Sequence, residues 1–337
     1  MNSLFIKALV STFFACYIFV SVVFAQVEDF ADINFRKADS VAQLYPHHSL
    51  RDIQGLAEKL SRPLSTDVEK FRAIYLWVCS NIKYDYYLFH RNKLQREKLK
   101  DQPYALKQWN KKFTPIVFDK LIKKHRTLCS GYAYLIRELA LYTGLSCEMI
   151  DGYSRSANST IGSQGIPNHS WNAVRLNNKW YLCDATWSSG IIDPLSKAFI
   201  RKYNDSYFLL SPSLFISNHY PIDTSWTLLA NNLSYEEFIS RPIIYGHIFQ
   251  YKLDSLIPEK FNFTTEKGKS VLFQFKNGSK KVIDKTTIQV TTAGNTNEFS
   301  PSLCQKENGI SSFEHTFNSK GEYVVHILLN GDYAFTY

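Results

Sequence analysis

Two apolar runs, 171–176 and 179–186, flank the dipeptide Asn177-Asn178, a pattern that predicts an antiparallel β-hairpin. With Asn177-Asn178 as a two-residue turn, Leu176 stands opposite Lys179 and Trp171 faces Asp184. His169 lies two residues along on the same face. It becomes a diagonal neighbour of Asp184, about 7–8 Å away at the backbone and within reach of an imidazole–carboxylate hydrogen bond. The same alternation sends Cys183 to the opposite face.

Upstream, Thr127-Leu128-Cys129-Ser130-Gly131-Tyr132-Ala133 opens an apolar helix predicted over 130–143 and stopped by Gly144. Unpaired N–H groups and the helix dipole favour a thiolate at such a position, the form that attacks a carbonyl carbon. Paired with histidine, a thiol so placed ionises at about pH 3–4, against about 8.5 when free. Cys129, His169 and Asp184 then fit nucleophile, base and orienting carboxylate. Taken singly, the same residues also read as a buried helix-start cysteine, a satisfied loop histidine and a strand-end cap.

The chain of 337 residues carries a net charge of +9. The stretch 91–126 holds twelve cations against three anions, so the surplus is local and the remainder is near neutral. That insert ends three residues before Cys129. It is expected to steer acidic substrates or to hold the protein at an anionic envelope surface; a solvated helical hairpin without such a role is the plainer alternative. A hydrophobic content of 45% excludes a disordered tail protein.

Residues 1–25 combine one cation, an uncharged apolar run and Val23-Phe24-Ala25, the pattern of a signal peptide cleaved near Ala25; an uncleaved anchor is the alternative. Localisation is accordingly expected to be secreted, periplasmic or in the cell envelope. The context of Cys16 matches lipid modification poorly. Beyond the signal, Cys79, Cys129, Cys147, Cys183 and Cys304 are odd in number, so at least one thiol stays unpaired or pairs with another molecule. No CxxC, HExxH or phosphate-cradling glycine loop occurs, and no metal or cofactor is expected. Export and the lack of a reading motif argue against nucleic acid as partner.

A helix is predicted over 49–60. Thr66-Asp67-Val68-Glu69 has capping-box spacing and opens a further helix to about Asn81, with Trp77 and Cys79 buried. Strands are expected over 147–153, 171–176 and 179–186, and a second capping box stands at Ser234-Tyr235-Glu236-Glu237. After about 245 the pattern turns to β, with Asn277-Gly278 and Asn330-Gly331 as hairpin turns. The fold class is α+β: an antiparallel-sheet domain over 26–245 and a β-sandwich domain over 246–337.

Four stretches together carry a resemblance: the helix Phe71-Arg-Ala-Ile-Tyr-Leu-Trp77 running to Asn81-Ile-Lys-Tyr-Asp85, then Cys129-Ser-Gly-Tyr-Ala, His169-Ser-Trp-Asn and Asp184-Ala-Thr-Trp. This resembles the transglutaminase-like superfamily over roughly 49–229. Tyr207-Phe-Leu-Leu-Ser-Pro212 and His219-Tyr-Pro-Ile-Asp-Thr-Ser-Trp226 look like the segment found in its kyphoscoliosis-peptidase-like and cytokinesis-protein-3-like members. The resemblance implies a papain/transglutaminase-like core and a Cys129-His169-Asp184 catalytic triad. On that basis the chain is expected to be an exported thiol acyl-transfer enzyme. Cys129 would attack a peptide or side-chain amide, His169 take the thiol proton, and the Cys129 N–H donate to the oxyanion. Water as acceptor gives a peptidase or amidase, and a lysine amine gives a cross-linker. Trp77, Tyr86 and Trp109 stay unranked as oxyanion aromatics, and His219 is read as a structural or rim residue. The competing reading is a non-catalytic binding or scaffold module of the cell envelope.

Overall fold

The computed structural model describes residues 29–156, 165–193, 195–305 and 308–337. The expected signal peptide 1–25, including Cys16, lies outside the described residues. Among them, no helix is long and apolar enough to cross a membrane.

Three helices open the fold: α1 (Arg36–Gln43), α2 (Ile53–Ser61) and α3 (Asp67–Asn81). Asp52 starts α2 by accepting from Gly55 N at 2.9 Å. The capping box of α3 forms as the spacing predicts: Thr66 Oγ1 accepts from Glu69 N at 3.3 Å, and Thr66 N donates to Glu69 Oε2 at 3.0 Å. Apolar side chains surround α3 on nearly every side, so it runs through the core, with Trp77 and Cys79 fully buried.

Strand β1 (Lys83–Tyr84), helices α4 (Tyr86–Lys98) and α5 (Pro103–Lys124), and strand β2 (Arg126–Thr127) form the basic insert and its base. β1 and β2 pair in parallel and pinch the two ends of the helical hairpin together. Buried Asp85 caps α4 through Leu88 N and takes Lys120 Nζ of α5 at 2.8 Å.

Helix α6 (Cys129–Tyr142) follows and ends at Gly144, whose φ of +81° suits a glycine. The main sheet is built from β3 (Cys147–Ser154), β4 (His169–Leu176) and β5 (Lys179–Cys183), followed by α7 (Ala185–Ser189), the β6 (Gly190–Ile192) and β7 (Phe199–Arg201) pair, and α8 (Pro212–Phe215). β8 (His219–Pro221) completes it in the order β5-β4-β3-β8, antiparallel throughout. The hairpin has the predicted register, Leu176 opposite Lys179 and Asn172 opposite Cys183. Asn177 and Asn178 both take positive φ, the geometry that matches the twist of a tight hairpin.

Alternation along this hairpin separates two cores. Val174, Leu176, Tyr181 and Cys183 face α3 and α6, whereas Trp171, Ala173 and Leu182 face Tyr207 and Phe215.

Helix α9 (Tyr235–Ser240) starts in the second capping box. The C-terminal region is β-rich and separate in its core: β9 (Ile243–Ile244), β10 (Asp254–Ile257), β11 (Ser270–Lys276), β12 (Thr286–Thr292), β13 (Asn295–Phe299), β14 (Cys304–Gln305), β15 (Ile310–Thr316), β16 (Val324–Leu329) and β17 (Asp332–Thr336). They form antiparallel sheets ordered β10-β11-β15-β14 and β13-β12-β16-β17-β9. Asn330-Gly331 makes the expected hairpin between β16 and β17. Asn277-Gly278 does not: β11 pairs with β15, β12 joins the other sheet, and Asn277 N donates instead to Gly309 O. A local turn signal carries no information on which strand the chain returns to.

Candidate functional site

The site grows from the packing of three strands. Gly152 of β3 is opposite His169 on one side and Pro221 on the other, so β4 and β8 flank it closely. A Cβ at Gly152 would lie 2.3 Å from Tyr220 O and 2.4 Å from Trp171 Cη2. Only glycine permits this approach, which brings His169 and His219 to one place.

Asp184, just past β5, divides its carboxylate between two tasks. Oδ1 accepts from Thr186 N at 2.8 Å and Trp187 N at 3.2 Å, capping α7. Oδ2 faces His169 Nε2 at 2.6 Å and His219 Nε2 at 3.0 Å. All three residues are buried, at 6% exposure for His169, 1% for Asp184 and 0% for His219. Trp187 packs on both imidazoles, and Phe215 lies 4.2 Å from the His219 ring centroid to centroid. Asn218 holds the outer nitrogen of His219: Oδ1 is 2.6 Å from Nδ1, while Nδ2 donates to Ile244 O and Tyr207 Oη.

The two histidines titrate in opposite directions. Burial works against charge on His169, yet the Asp184 carboxylate, helped by a hydrogen bond with Cys129, outweighs it and raises the pKa to about 10. On His219 burial wins over Asp184, and the pKa falls to about 4. Burial also opposes ionisation of Asp184, but the His169 charge and the hydrogen bonds from both imidazoles hold its carboxyl well below the usual carboxylate range. At pH 7 the cluster is therefore imidazolium, carboxylate and neutral imidazole. The last has one ring N–H to share between Asp184 Oδ2 and Asn218 Oδ1.

This arrangement corrects the expected chemistry. The cluster whose donor atoms all lie within 4.8 Å of one another is His169, Asp184 and His219, and it contains no sulfur. Cys129 starts α6 and is not one of the three clustered groups, but its thiol is hydrogen-bonded to the His169 ring. Asp184 also shares its carboxylate with a second imidazole, which a three-membered Cys-His-Asp arrangement does not have. The expectations of an exported Cys-His-Asp thiol acyl-transfer enzyme, and of a cysteine peptidase or transglutaminase-like acyltransferase, are set aside on this finding. Cys183 is fully buried on the opposite face, and Cys79, Cys147 and exposed Cys304 are also free thiols. Trp77 is in the core, and Trp109 bonds Asn92 within the helical hairpin.

Two imidazoles and a carboxylate are donors that transition metals accept, although no metal ligand is expected from the sequence. The geometry fits a metal poorly. Ligand atoms about 2.1 Å from one cation stand about 3 Å or more apart at tetrahedral or octahedral angles, whereas His169 Nε2 and Asp184 Oδ2 are 2.6 Å apart. That spacing belongs to a shared proton.

The basic hairpin adjoins the cluster. Arg91, Lys93, Lys98, Lys100, Lys107, Lys111, Lys112, Lys123, Lys124 and Arg126 are exposed, and Asp119 and Asp85 are the acidic groups paired with the insert's cations among the described residues. Half-buried Arg96, on α4, donates Nη2 to Pro167 O at 2.9 Å, two residues before His169.

His219 is the residue whose place the sequence reading missed. It is at the centre of the cluster rather than at a rim, and only the pairing of β8 with β3 puts it there. The available signal was a histidine in a short apolar strand, which is weak.

Residues 54–185 match the family model of the transglutaminase-like superfamily. The chain is 30% identical to human kyphoscoliosis peptidase over 219 residues, which are 64% of this chain and 30% of that protein. It is 26% identical to hillarin of Drosophila melanogaster, over 66% of this chain and 26% of that protein. A third similarity, 32% identity to cytokinesis protein 3 of Schizosaccharomyces pombe, covers 30% of this chain and 12% of the relative. The chain thus spans less than a third of the length of each of these relatives.

Proposed function

From the match of residues 54–185 to the transglutaminase-like superfamily, we propose that the chain is a member whose role is that of a binding module, holding an acidic protein or peptide on its basic helical hairpin. The observation that carries this reading is the row of exposed cations on α4 and α5 beside a cluster whose protons and carboxylate are committed to one another. A concentrated single-sign surface raises the association rate of an opposite charge and fixes its approach. The His169-Asp184-His219 unit beside this surface is buried, joined through Asp184 Oδ2 and enclosed by Trp171, Trp187 and Phe215.

The similarity to kyphoscoliosis peptidase and cytokinesis protein 3 supports a place in that branch of the superfamily. The two C-terminal sheets, with Phe273, Phe275, Ile288 and Ile327 in a common core, are read as a β-sandwich that extends the contact surface. The apolar run of 1–25 supports export to the cell envelope.

The test is fluorescence anisotropy with a labelled acidic peptide at rising salt. Wild type should lose affinity steeply between about 0.05 and 0.3 M salt. A variant carrying Gln at Lys107, Lys111, Lys112, Lys123 and Lys124 should bind weakly at all salt concentrations. Equal binding by the two proteins contradicts the reading.

A further inference from the structure

We infer that Arg96 is the anchor of a carboxylate subsite at the edge of the His169-Asp184-His219 cluster, and that this subsite selects the acidic group of the bound segment. The inference rests on the acidic-partner reading and names the residue that would confer its specificity.

Arg96 differs from the other cations of the hairpin. Its neighbours on α4 and α5 are mostly exposed and hydrated, whereas Arg96 is half-buried and its Nε atom is buried without a hydrogen-bond partner among the described residues. The one described bond of the guanidinium is Nη2 to Pro167 O. No carboxylate lies within ion-pair distance of it among the described residues; Cys129, Asp151 and Glu97 act on it only from further away.

A guanidinium has five donors in a rigid planar fork, and leaving a buried one unpaired is costly. Of the other inward arginines, Arg72 is held between the carboxylates of Asp39 and Asp205, and Arg155 by two carbonyls, Phe238 O and Arg241 O. Arg96 has no such match, and Pro167 O fixes it next to the strand that begins at His169. A carboxylate supplies two acceptors at the spacing of the fork, which lysines on the surface cannot read. The surface cations thus draw an acidic segment in, and Arg96 seats one of its carboxylates. A glutamate or aspartate side chain and a chain-terminal carboxylate offer the same chemistry.

Three labelled peptides separate these sources: one with two central glutamates and an amidated end, one with glutamines in their place, and the glutamine peptide with a free terminal carboxylate. Wild type should bind at least one carboxylate peptide about tenfold more tightly than the amidated glutamine peptide, and the peptide preferred identifies the source. Arg96→Gln should abolish that preference with an unchanged melting temperature. Should that variant fail to fold, Arg96→Lys takes its place and should lose most of the preference while keeping the charge. A folded Arg96 variant that keeps the full preference, while the hairpin variant with five glutamines loses binding, overturns the subsite and leaves the acidic-partner reading standing. Wild type binding none of the peptides overturns both.

Discussion

His219 Nε2 lies 3.0 Å from Asp184 Oδ2, the same oxygen that His169 Nε2 meets at 2.6 Å. One carboxylate oxygen thus joins two strands that are not neighbours in the sheet, while its partner oxygen starts α7. Replacing Asp184 removes both functions at once.

Asp184→Ala should therefore be among the most damaging single substitutions. It leaves a buried imidazolium uncompensated, a loss of about 3–5 kcal/mol, with the helix cap adding about 1 kcal/mol. Urea unfolding measures it; a loss below about 1 kcal/mol would show that the cluster contributes little to the fold.

The two histidines set a pH profile. His169 has a folded pKa of about 10 against an ordinary 6.5, so its contribution is complete below 6.5 and is lost as pH rises through 10. His219 has a folded pKa of about 4 against 6.5, so the unfolded chain binds more protons between these values and stability rises as pH climbs from 4 to 6.5. Together they place the cluster's maximum near pH 6.5. Urea midpoints across this range should show both limbs, with the alkaline one flattened in His169→Gln and the acid one in His219→Gln. An alkaline limb unchanged in His169→Gln contradicts the assignment.

Gly152→Ala tests the close approach of β3 and β8. Its methyl group must displace the backbone at Tyr220, the residue after His219, or the Trp171 ring, which packs on both imidazoles. Overpacking of this kind costs about 1–3 kcal/mol. The ring resonances of His219 should shift with it, and a variant as stable as wild type with unmoved resonances contradicts the packing described.

Arg72 ties the first helix to the core. Its guanidinium bonds Asp39 at 2.6 Å and also Asp205, and it stacks on Phe208. Burial opposes its charge, but the two carboxylates outweigh that and raise its pKa. Asp205 is well exposed, which discounts that half of the bridge. Arg72→Met should cost about 2 kcal/mol, and limited proteolysis should cut first near α1. A melting temperature equal to wild type contradicts it.

Much of the fold was legible because its signals are local. Thr66 and Ser234 each carry a glutamate three residues on, and both boxes form. Asn177-Asn178 defines a register within one hairpin, so the shared face of His169 and Asp184 followed from alternation alone. The central place of His219 was not legible, because β8 pairs with β3 more than sixty residues away in sequence. The same holds for Asn277-Gly278, where β11 is completed by β15 and not by the next strand. A helix-start cysteine with a downstream histidine and aspartate suggested a triad, but periodicity within one hairpin cannot reveal a second imidazole arriving from another strand to share the carboxylate.

If the protein works by binding an acidic partner and not through the chemistry expected at Cys129, loss of the thiol should change nothing. The direct measurement incubates wild type and Cys129→Ala with a peptide mixture and a labelled amine, and reads cleavage and amine incorporation by mass. No product should depend on Cys129, and both proteins should bind the acidic peptide equally. Cleavage or amine incorporation by wild type that vanishes in Cys129→Ala would contradict this reading.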